Sequence, residues 1–316
     1  MRLLELLKAA VRTLETAGVE DALSDAEMIV FHAAGMDRLD AYVENPEVKS
    51  SDAAKVRRRI QRRAKGEPVQ YIIGHIEFLG LTINVGKGVL IPRPETELLV
   101  EEGIKALKSE ELVARSNDKS SCAASCASRR TLHASLFVLD LCTGSGCIAL
   151  ALAKEFPDAE VFGTDVSKDA LAYAKKNARV NDITNVTFLH GSLFEQVAGR
   201  KFSIIIANPP YIRRDELDTL QREIREWEPV DALDGGEDGM DFYRQILSSA
   251  GAYLNPGGCI FLELGFDQAG GVQKLAQEQG FKDVAIINDY AGIGRILKAR
   301  KAKFPCNKGR QNILNF

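Results

Sequence analysis

Along about the first 70 residues, apolar side chains recur at the spacing of an α-helix. Leu3, Leu7 and Leu14 share one helical face, and Gly18 ends this pattern. The letters SDAE at 24–27 have the form of a capping box ahead of an apolar run, so they predict the start of a second helix. We therefore expect residues 1–73 to fold as a small helical domain.

A basic helix closes this predicted domain. It carries the letters KVRRRIQRRAK at 55–65 and ends at Gly66 and Pro68. Charge of this density is typical of a solvated helix face, but it also suits contact with an acidic or phosphate-bearing partner. The sequence leaves both interpretations open.

The segment 74–90 changes character and predicts a β-hairpin that links two domains. The letters FLGLTI at 78–83 are β-prone around Gly80. IPRPETE at 91–97 follows as a stiff extended connector, because each proline fixes its own φ and disfavours helix at the preceding residue. Helix is expected to resume at Glu95.

From Phe137 onward, short apolar runs alternate with helical patterns. Such alternation predicts an α/β fold, with a parallel sheet covered on both faces. The predicted strands end in FVLDL, VFGTD, VTFLH, FSIIIAN and CIFLELG, with two more at 284–288 and 295–298, and the predicted helices lie near 147–156, 167–180, 240–254 and 268–279.

We place the main domain at 91–300, with one insertion inside it and one tail after it. Residues 116–135 are rich in Ser, Ala and Cys without a clear period, which predicts a disordered or loosely ordered insertion. Residues 301–316 are interpreted as a C-terminal tail.

Composition and charge narrow the class of protein. The 316 residues are 45% hydrophobic with a net charge of -3, which is ordinary for a globular enzyme and gives no global basic excess for nucleic acid. No run approaches the roughly 20 apolar residues of a membrane span, and no signal peptide is recognisable. The six cysteines lack the spacing of a zinc site. We expect a cytoplasmic protein with reduced thiols and no metal, and a monomer by default.

The stretch VLDLCTGSG carries the first candidate chemistry. A predicted strand ends at Asp140, and Gly144 and Gly146 then let the backbone turn tightly and approach a ligand. A helix follows at once, so its N-terminus faces the crevice where nucleotide-like ligands bind. The Lys-Ser/Thr of a Walker loop is absent and Ala149 replaces the third glycine of a dinucleotide loop, so a small zwitterion fits better than a phosphate.

Asp165 ends the next predicted strand. A carboxylate at this place can accept hydrogen bonds from both hydroxyls of a ribose, which favours an adenosine ligand without choosing between cofactors. The alternative is that Asp165 caps the helix that follows.

The stretch IIIANPPYI raises the second chemical question, because an apolar strand stops at an asparagine. Asn208 offers a side-chain carbonyl and Pro209 a main-chain carbonyl, so two acceptors could hold one planar NH2 group. Pro210 stiffens this pair, and Tyr211 offers a flat face for stacking. An ordinary strand-ending turn is the alternative.

Together these stretches resemble a known family. The Asp-x-x-x-Gly-x-Gly loop is similar to the first motif of S-adenosylmethionine (SAM)-dependent methyltransferases, and NPPY resembles those that act on planar nitrogen. Five motifs in order resemble the release factor glutamine methyltransferases: IPRPETE at 91–97, DLCTGSGCIAL at 140–150, NPPYI at 208–212, EPVDALDGGEDGMDFYR at 228–244 and FLELGFDQ at 261–268. The resemblance implies a Rossmann-like class I fold with a mostly parallel seven-stranded sheet, and an N-terminal domain that docks class I peptide chain release factors.

The resemblance also implies residue roles. The loop residues and Asp165 would contact SAM, with Asp140 near its ammonium group and Leu193 beside its adenine, although Ser192 stands where an acid is usual. Asn208 would hold the glutamine of a Gly-Gly-Gln motif beside the SAM methyl group, and the product would be S-adenosylhomocysteine. The implied SAM and glutamine residues are Asp140, Cys142, Thr143, Gly144, Ser145, Gly146, Asp165, Leu193, Asn208, Pro209, Pro210 and Tyr211.

Some points stay open from the sequence. LDGGEDG at 233–239 suggests a loop over the cofactor or substrate, or a surface turn, and Glu263 suggests either a crevice residue or a structural hydrogen bond. Adenine-N6 DNA or guanine-N2 RNA methylation is the second enzymatic hypothesis, which the basic helix keeps open. A scaffold that binds a translation factor without turnover is the third.

Overall fold

A computed structural model describes residues 1–118 and 136–303 of the chain. Its first five helices pack together as predicted, around buried side chains such as Leu6, Leu14 and Ile29. These helices are α1 (Leu3–Thr16), α2 (Ala22–Ala34), α3 (Arg38–Glu44), α4 (Ser50–Ala64) and α5 (Val69–Ile73).

The predicted capping box at 24–27 is wrong. Ser24 lies inside α2, whose N-cap is Asp21. The helix begins earlier because Ala22 is buried on the same face as Ala26 and Ile29, at the four- and three-residue spacing that one helical face requires. Tertiary burial therefore outweighs the local capping signal.

Helix α4 has two kinds of arginine. Val56 and Ile60 face the core, whereas Arg57 and Arg58 are exposed, which agrees with a solvated basic face. Arg63 is different, because it is buried and pairs with acidic side chains on two other segments.

The predicted hairpin is confirmed. It consists of β1 (His75–Phe78) and β2 (Leu81–Asn84), which pair antiparallel. Leu79 and Gly80 form the two-residue turn, and both have positive φ, at 47° and 68°. That backbone matches the twist of paired strands.

The larger domain is a seven-stranded sheet with helices on both faces, so the predicted α/β fold is confirmed. The strand order is β5-β4-β3-β6-β7-β9-β8, and β9 runs antiparallel to both of its neighbours while the first five strands are parallel. Its elements are α6 (Pro94–Asp118), β3 (Phe137–Leu141), α7 (Cys147–Glu155), β4 (Glu160–Asp165), α8 (Lys168–Val180), β5 (Val186–His190), β6 (Phe202–Ala207), α9 (Arg222–Trp227), α10 (Asp241–Tyr253), β7 (Leu254–Glu263), α11 (Ala269–Glu278), β8 (Lys282–Asn288) and β9 (Gly294–Arg300).

Alternate residues of the central strands feed two apolar layers. On β3, Val138 packs into the layer that includes α7, whereas Leu139 and Leu141 pack into the layer beneath α10 and α11. On β6, Ile204 and Ile205 divide in the same way, as the two-residue period of a strand requires. Both strands are therefore buried on each face.

The sheet order reverses next to β3. β4 and β5 lie on one side of this strand, and β6 and β7 lie on the other. In open α/β sheets, ligands bind outside the carboxyl ends of the strands at such a switch point. The segments that follow β3 and β6 are the glycine loop and the NPPY stretch, so the topology brings both to one crevice.

Two predictions fall partly outside the described residues. The insertion at 116–135 begins within α6, whose last residue is Asp118, and 119–135 lie outside the description. The same holds for 304–316 of the predicted tail. Among the helices that the structure describes, none combines the length and apolarity needed to cross a membrane.

Candidate functional site

The glycine loop is folded around a buried carboxylate. Asp140 Oδ2 accepts hydrogen bonds from Thr143 Oγ1 at 2.5 Å and from the Ala149 amide at 3.1 Å. Burial raises the pKa of Asp140 to about 7. The Oδ1 atom is buried without a hydrogen-bond partner among the described residues. Asp140 thus anchors both the glycine loop and the start of α7 from the interior of the protein.

Positive φ angles at three positions give the loop its shape. Cys142, Gly144 and Gly146 have φ values of 56°, 54° and 82°. At Gly146 a Cβ atom would lie 3.0 Å from both Ala174 Cβ and the Phe188 ring. The glycine there lets the start of α7 pack closely against α8 and β5.

Asp165 is tied to the same loop. Its Oδ2 accepts from the Gly144 amide at 2.8 Å, and its Oδ1 accepts from the Ser167 amide at 2.8 Å. The N-cap of α8 is Ser167, whose hydroxyl accepts from the Ala170 amide, so the capping alternative for Asp165 is wrong. Burial raises the pKa of Asp165.

A cavity of about 220 Å³ lies over the loop at the carboxyl ends of β3, β4 and β6. We call it the loop cavity. Apolar residues such as Leu90 and Leu193 line it together with the polar groups of Thr143 and Asp165, a mixture typical of small-molecule sites. Asn208 forms part of its wall.

A second cavity of about 170 Å³ lies on the other side of Asn208. It is lined by Arg93, Asn208, Pro209 and Tyr211, among others, and we call it the Tyr211 cavity. Leu90, Asn208 and Ala232 line both cavities, so the two cavities adjoin at these residues.

The asparagine and the tyrosine are both linked to Glu263 at the end of β7. Asn208 Nδ2 donates to Thr96 Oγ1 at 3.2 Å, and Thr96 Oγ1 donates to Glu263 Oε2 at 2.8 Å. The Tyr211 hydroxyl lies 3.5 Å from Glu263 Oε1. Burial raises the pKa of Glu263 to about 7 and also raises that of Tyr211.

The loop at 233–239 packs against the backbone of the NPPY segment. The Ile212 amide donates to the Leu233 carbonyl at 2.9 Å, and the Gly235 amide donates to the Ile212 carbonyl at 2.8 Å. A Cβ atom at Gly235 would lie 2.6 Å from Tyr211 Cα. Gln268 Nε2 donates to the Tyr211 carbonyl at 2.8 Å. The loop therefore supports the position of Tyr211 from behind.

The proline connector is fixed by one buried acid. Glu228, at the end of α9, accepts from the Ile91 amide at 3.1 Å and pairs with the Arg93 guanidinium at 2.5 Å. The side chain of Glu228 is only 2% exposed. Arg93 thus orders the connector where it passes the Tyr211 cavity.

The structure brings most of the predicted site residues to one place. Asp140 and Gly146 line neither cavity, because Asp140 is buried beneath the glycine loop and Gly146 packs against α8 and β5. The predicted residues that line one or both cavities are Cys142, Thr143, Gly144, Ser145, Asp165, Leu193, Asn208, Pro209, Pro210 and Tyr211.

Sequence reasoning missed Thr96 as part of this site and left Glu263 undecided. Both are buried polar residues, and Thr96 is 1% exposed. Their sequence positions could have indicated a role in the site, because Thr96 lies within the proline connector and Glu263 lies at the end of a strand. Only the tertiary contacts show that they join Asn208 to Tyr211.

Comparisons with known proteins identify the family. Residues 5–74 match the PrmC N-terminal domain, and residues 124–226 match the methyltransferase small domain. A release factor glutamine methyltransferase of Thermodesulfovibrio yellowstonii is 43% identical over 281 residues, which cover 89% of this chain and 93% of that protein. The chain belongs to the release factor glutamine methyltransferase family. The resemblance drawn from the sequence motifs is confirmed.

A second curated relative and a solved structure are also similar to this chain. The protein of that name from Geobacter sulfurreducens is 43% identical over 288 residues, covering 90% of this chain and 91% of its own length. Among solved structures, a release factor-specific protein-(glutamine-N5) methyltransferase from Alicyclobacillus acidocaldarius is 28% identical. The match covers 69% of this chain and 99% of the chain in that structure, with a TM-score of 0.38.

Proposed function

We propose that this protein transfers a methyl group from SAM to the side-chain amide nitrogen of the glutamine in the Gly-Gly-Gln motif of class I peptide chain release factors. The observation that carries the proposal is the position of Asn208, which lines both the loop cavity and the Tyr211 cavity. A methyl donor and an amide acceptor bound in adjoining cavities would meet there. Membership of the glutamine methyltransferase family supports the same reaction.

The residues around the loop cavity fit SAM. Asp165 keeps lone pairs for ribose hydroxyls after accepting its two backbone hydrogen bonds, because each carboxylate oxygen can accept more than one. Asp140 is buried beneath the loop and does not line the cavity, so its carboxylate would act on a bound ammonium group through the loop and not by direct contact. Leu193 offers an apolar surface for adenine. When bound, SAM supplies an electrophilic methyl group on a sulfonium.

The Tyr211 cavity fits a planar amide. Asn208 Oδ1 and the Pro209 carbonyl are acceptors for the two N–H groups of a glutamine side chain, and Tyr211 offers a flat face. Two acceptors on one NH2 group orient it and favour the pyramidal nitrogen that attacks carbon. Positioning and fixed dipoles can supply much of the rate enhancement without a strong base.

Each residue then has a defined task in the transfer. The glutamine nitrogen forms a bond to the methyl carbon while the carbon–sulfur bond breaks, and the nitrogen releases one proton to solvent. Asn208 and Pro209 hold the nitrogen through this change, and Tyr211 keeps the amide plane in place. We extend the proposal to a cytoplasmic location, because translation termination takes place there.

The test uses the purified chain, SAM and an unmodified release factor. Peptide mass spectrometry across the Gly-Gly-Gln loop should show a gain of one methyl group on the glutamine, and Asn208→Ala should remove it while SAM still binds. Methyl transfer to DNA or RNA instead would move the substrate to a nucleobase. SAM binding without any transfer would favour the scaffold, and either result would overturn the proposal.

A further inference from the structure

Two buried polar side chains, Glu263 and Thr96, form a hydrogen-bonded chain that ends at the half-buried Asn208. The three residues come from segments far apart in sequence: the end of β7, the first turn of α6 and the end of β6. Asn208 Nδ2 lies 3.2 Å from Thr96 Oγ1, which lies 2.8 Å from Glu263 Oε2. Thr96 and Glu263 are only 1% and 2% exposed, so water does not compete for the contact between them.

Counting protons fixes the direction of each hydrogen bond. A threonine hydroxyl has one proton, and an ionised Glu263 has none, so Thr96 must donate to the carboxylate. The lone pairs of Thr96 Oγ1 then face Asn208. The NH2 side of the asparagine amide can donate to them, whereas its oxygen would be repelled.

We propose that the Thr96–Glu263 pair is a positioning device that holds the Asn208 amide with its nitrogen toward α6 and its oxygen free to accept from the substrate amide. This inference rests on the proposed glutamine methylation. If the amide turned over, Asn208 would present an NH2 group to the NH2 group of the substrate. Two donors would then face each other, and the substrate would lose one of its two acceptors. We call Asn208, Pro209 and Tyr211, which together would hold the substrate amide, the clamp.

The same carboxylate also reaches the other half of the clamp. The Tyr211 hydroxyl lies 3.5 Å from Glu263 Oε1, while the Tyr243 hydroxyl donates to the Glu263 carbonyl at 2.9 Å and fixes its main chain. Glu263 therefore links Asn208, through Thr96, to Tyr211. A change at Glu263 should affect both Asn208 and Tyr211.

The ionisation of Glu263 decides whether this device works. Burial, the largest influence, raises the pKa of Glu263 to about 7, and the Thr96 hydroxyl opposes this rise. Once protonated, Glu263 can donate to Thr96 Oγ1, and the freed threonine proton can then be donated to Asn208 Oδ1. The reversed amide becomes acceptable, so the clamp should loosen as the pH falls below about 7. The other titratable or charged groups that bear on Glu263 are Glu95, Cys147, Tyr211, Tyr243 and Arg295.

The kinetic test compares Thr96→Val, Thr96→Ser and Glu263→Gln with wild type from pH 6 to 9, using the release factor and SAM. Thr96→Val should lower kcat at least about tenfold with a much smaller change in KM for SAM, and Thr96→Ser should restore it. Glu263→Gln should flatten the acid limb of the kcat profile, because its amide does not titrate. Thr187→Val, at an exposed position on β5, is the matched control.

A second readout does not depend on turnover. Side-chain amide signals of protein labelled with ¹⁵N-asparagine report the hydrogen bond of Asn208, with the signal assigned by its loss in Asn208→Ser. At pH 8 the chemical shift of this signal should indicate a hydrogen-bonded amide in wild type and in Thr96→Ser. In Thr96→Val the signal should move away from its wild-type position. In wild type it should change with a midpoint near pH 7, and in Glu263→Gln it should stay constant.

The outcomes separate the two proposals. Wild type that transfers no methyl group but shows the expected asparagine signals would refute the proposed function and support the positioning device. Active wild type with normal kcat in Thr96→Val and an unchanged Asn208 signal would overturn the device alone. If Thr96→Val fails to fold, wild type is compared with Glu263→Gln alone. A pH-dependent Asn208 signal in wild type that becomes constant in Glu263→Gln would support the device, and the same pH dependence in both proteins would overturn it.

Discussion

Asp165 Oδ2 accepts a hydrogen bond from the Gly144 amide at 2.8 Å. This bond joins the end of β4 to the glycine loop that follows β3. The carboxylate proposed to hold the ribose of SAM therefore also fixes the backbone on which the rest of SAM would lie. Cofactor affinity should depend on Asp165 through both contacts.

Asp165→Ala should weaken SAM binding at least about tenfold, since hydrogen bonds to a charged group contribute about 1.5–3 kcal/mol each. Isothermal titration calorimetry measures this change directly. Asp158→Ala, which removes an exposed carboxylate between α7 and β4, should leave the affinity unchanged. Equal affinities in the two variants would show that Asp165 does not contact the cofactor.

Gly235→Ala should reduce turnover strongly. The new Cβ would lie 2.6 Å from Tyr211 Cα and 2.8 Å from the Tyr211 carbonyl carbon, so the clamp backbone must move. A displacement of about 1 Å can cost a hundredfold in rate. Gly251→Ala is the control, because a Cβ there meets nothing within 4 Å and α10 should gain slightly in stability. Normal kcat in Gly235→Ala would show that the loop at 233–239 does not support Tyr211.

Arg63→Ala should destabilise the protein by roughly 3 kcal/mol. Arg63 bonds to the buried Asp25 at 2.5 Å and to Glu223 on α9 at 2.9 Å, so its removal leaves a buried carboxyl without its cation. Urea unfolding measures the loss. Glu223→Ala should cost less, because Asp25 keeps its partner. Arg58→Ala, on the exposed face of α4, should change stability by less than about 0.5 kcal/mol.

Glu263→Gln should stabilise the fold at neutral and alkaline pH. The folded state binds the Glu263 proton more tightly than the unfolded state, since burial raises the pKa from 4.5 to about 7. Stability should therefore fall as the pH rises from about 4.5 to about 7, and the ionised form costs up to about 3 kcal/mol above that window. Thermal unfolding of both proteins at pH 5 and pH 8 measures this. A stability difference between wild type and Glu263→Gln that does not grow with pH would contradict this prediction.

Replacing residues 119–135 with a Gly/Ser linker of equal length should leave methyl transfer nearly unchanged. The segment joins β3 at Phe137, the strand end opposite to the glycine loop. The assay is the mass-spectrometric measurement of glutamine methylation. A large loss of kcat with unchanged thermal stability would show that these residues take part in the reaction.

Local sequence patterns were enough to predict most elements of the larger domain and the two chemical stretches. Strand and helix periods predicted the sheet, and Gly144 and Asn208 were correctly placed at the ends of strands. That information is local, because side-chain alternation and glycine backbone freedom act within a few residues. The position of both segments in one crevice then follows from the general rule for parallel sheets.

The capping box at Ser24 shows where local reasoning fails. A capping signal stabilises a helix end by about 1 kcal/mol, and burial of Ala22 with neighbouring turns can exceed that. At Asp165 the sequence left two interpretations open, a ribose contact and a helix cap. The structure excludes the cap, because Ser167 is the N-cap of α8 and Asp165 accepts from the Gly144 and Ser167 amides.

By itself, the sequence determined the α/β class, the glycine loop and the asparagine clamp motif, because each is encoded within a continuous stretch. Only the tertiary structure decided what surrounds the clamp. Thr96 and Glu263 are 167 positions apart, Thr96 and Asn208 are 112 apart, and Arg63 and Glu223 are 160 apart. Polar groups so distant in sequence become partners only when the packed sheet and helices bring them together and exclude the water that would otherwise bind them.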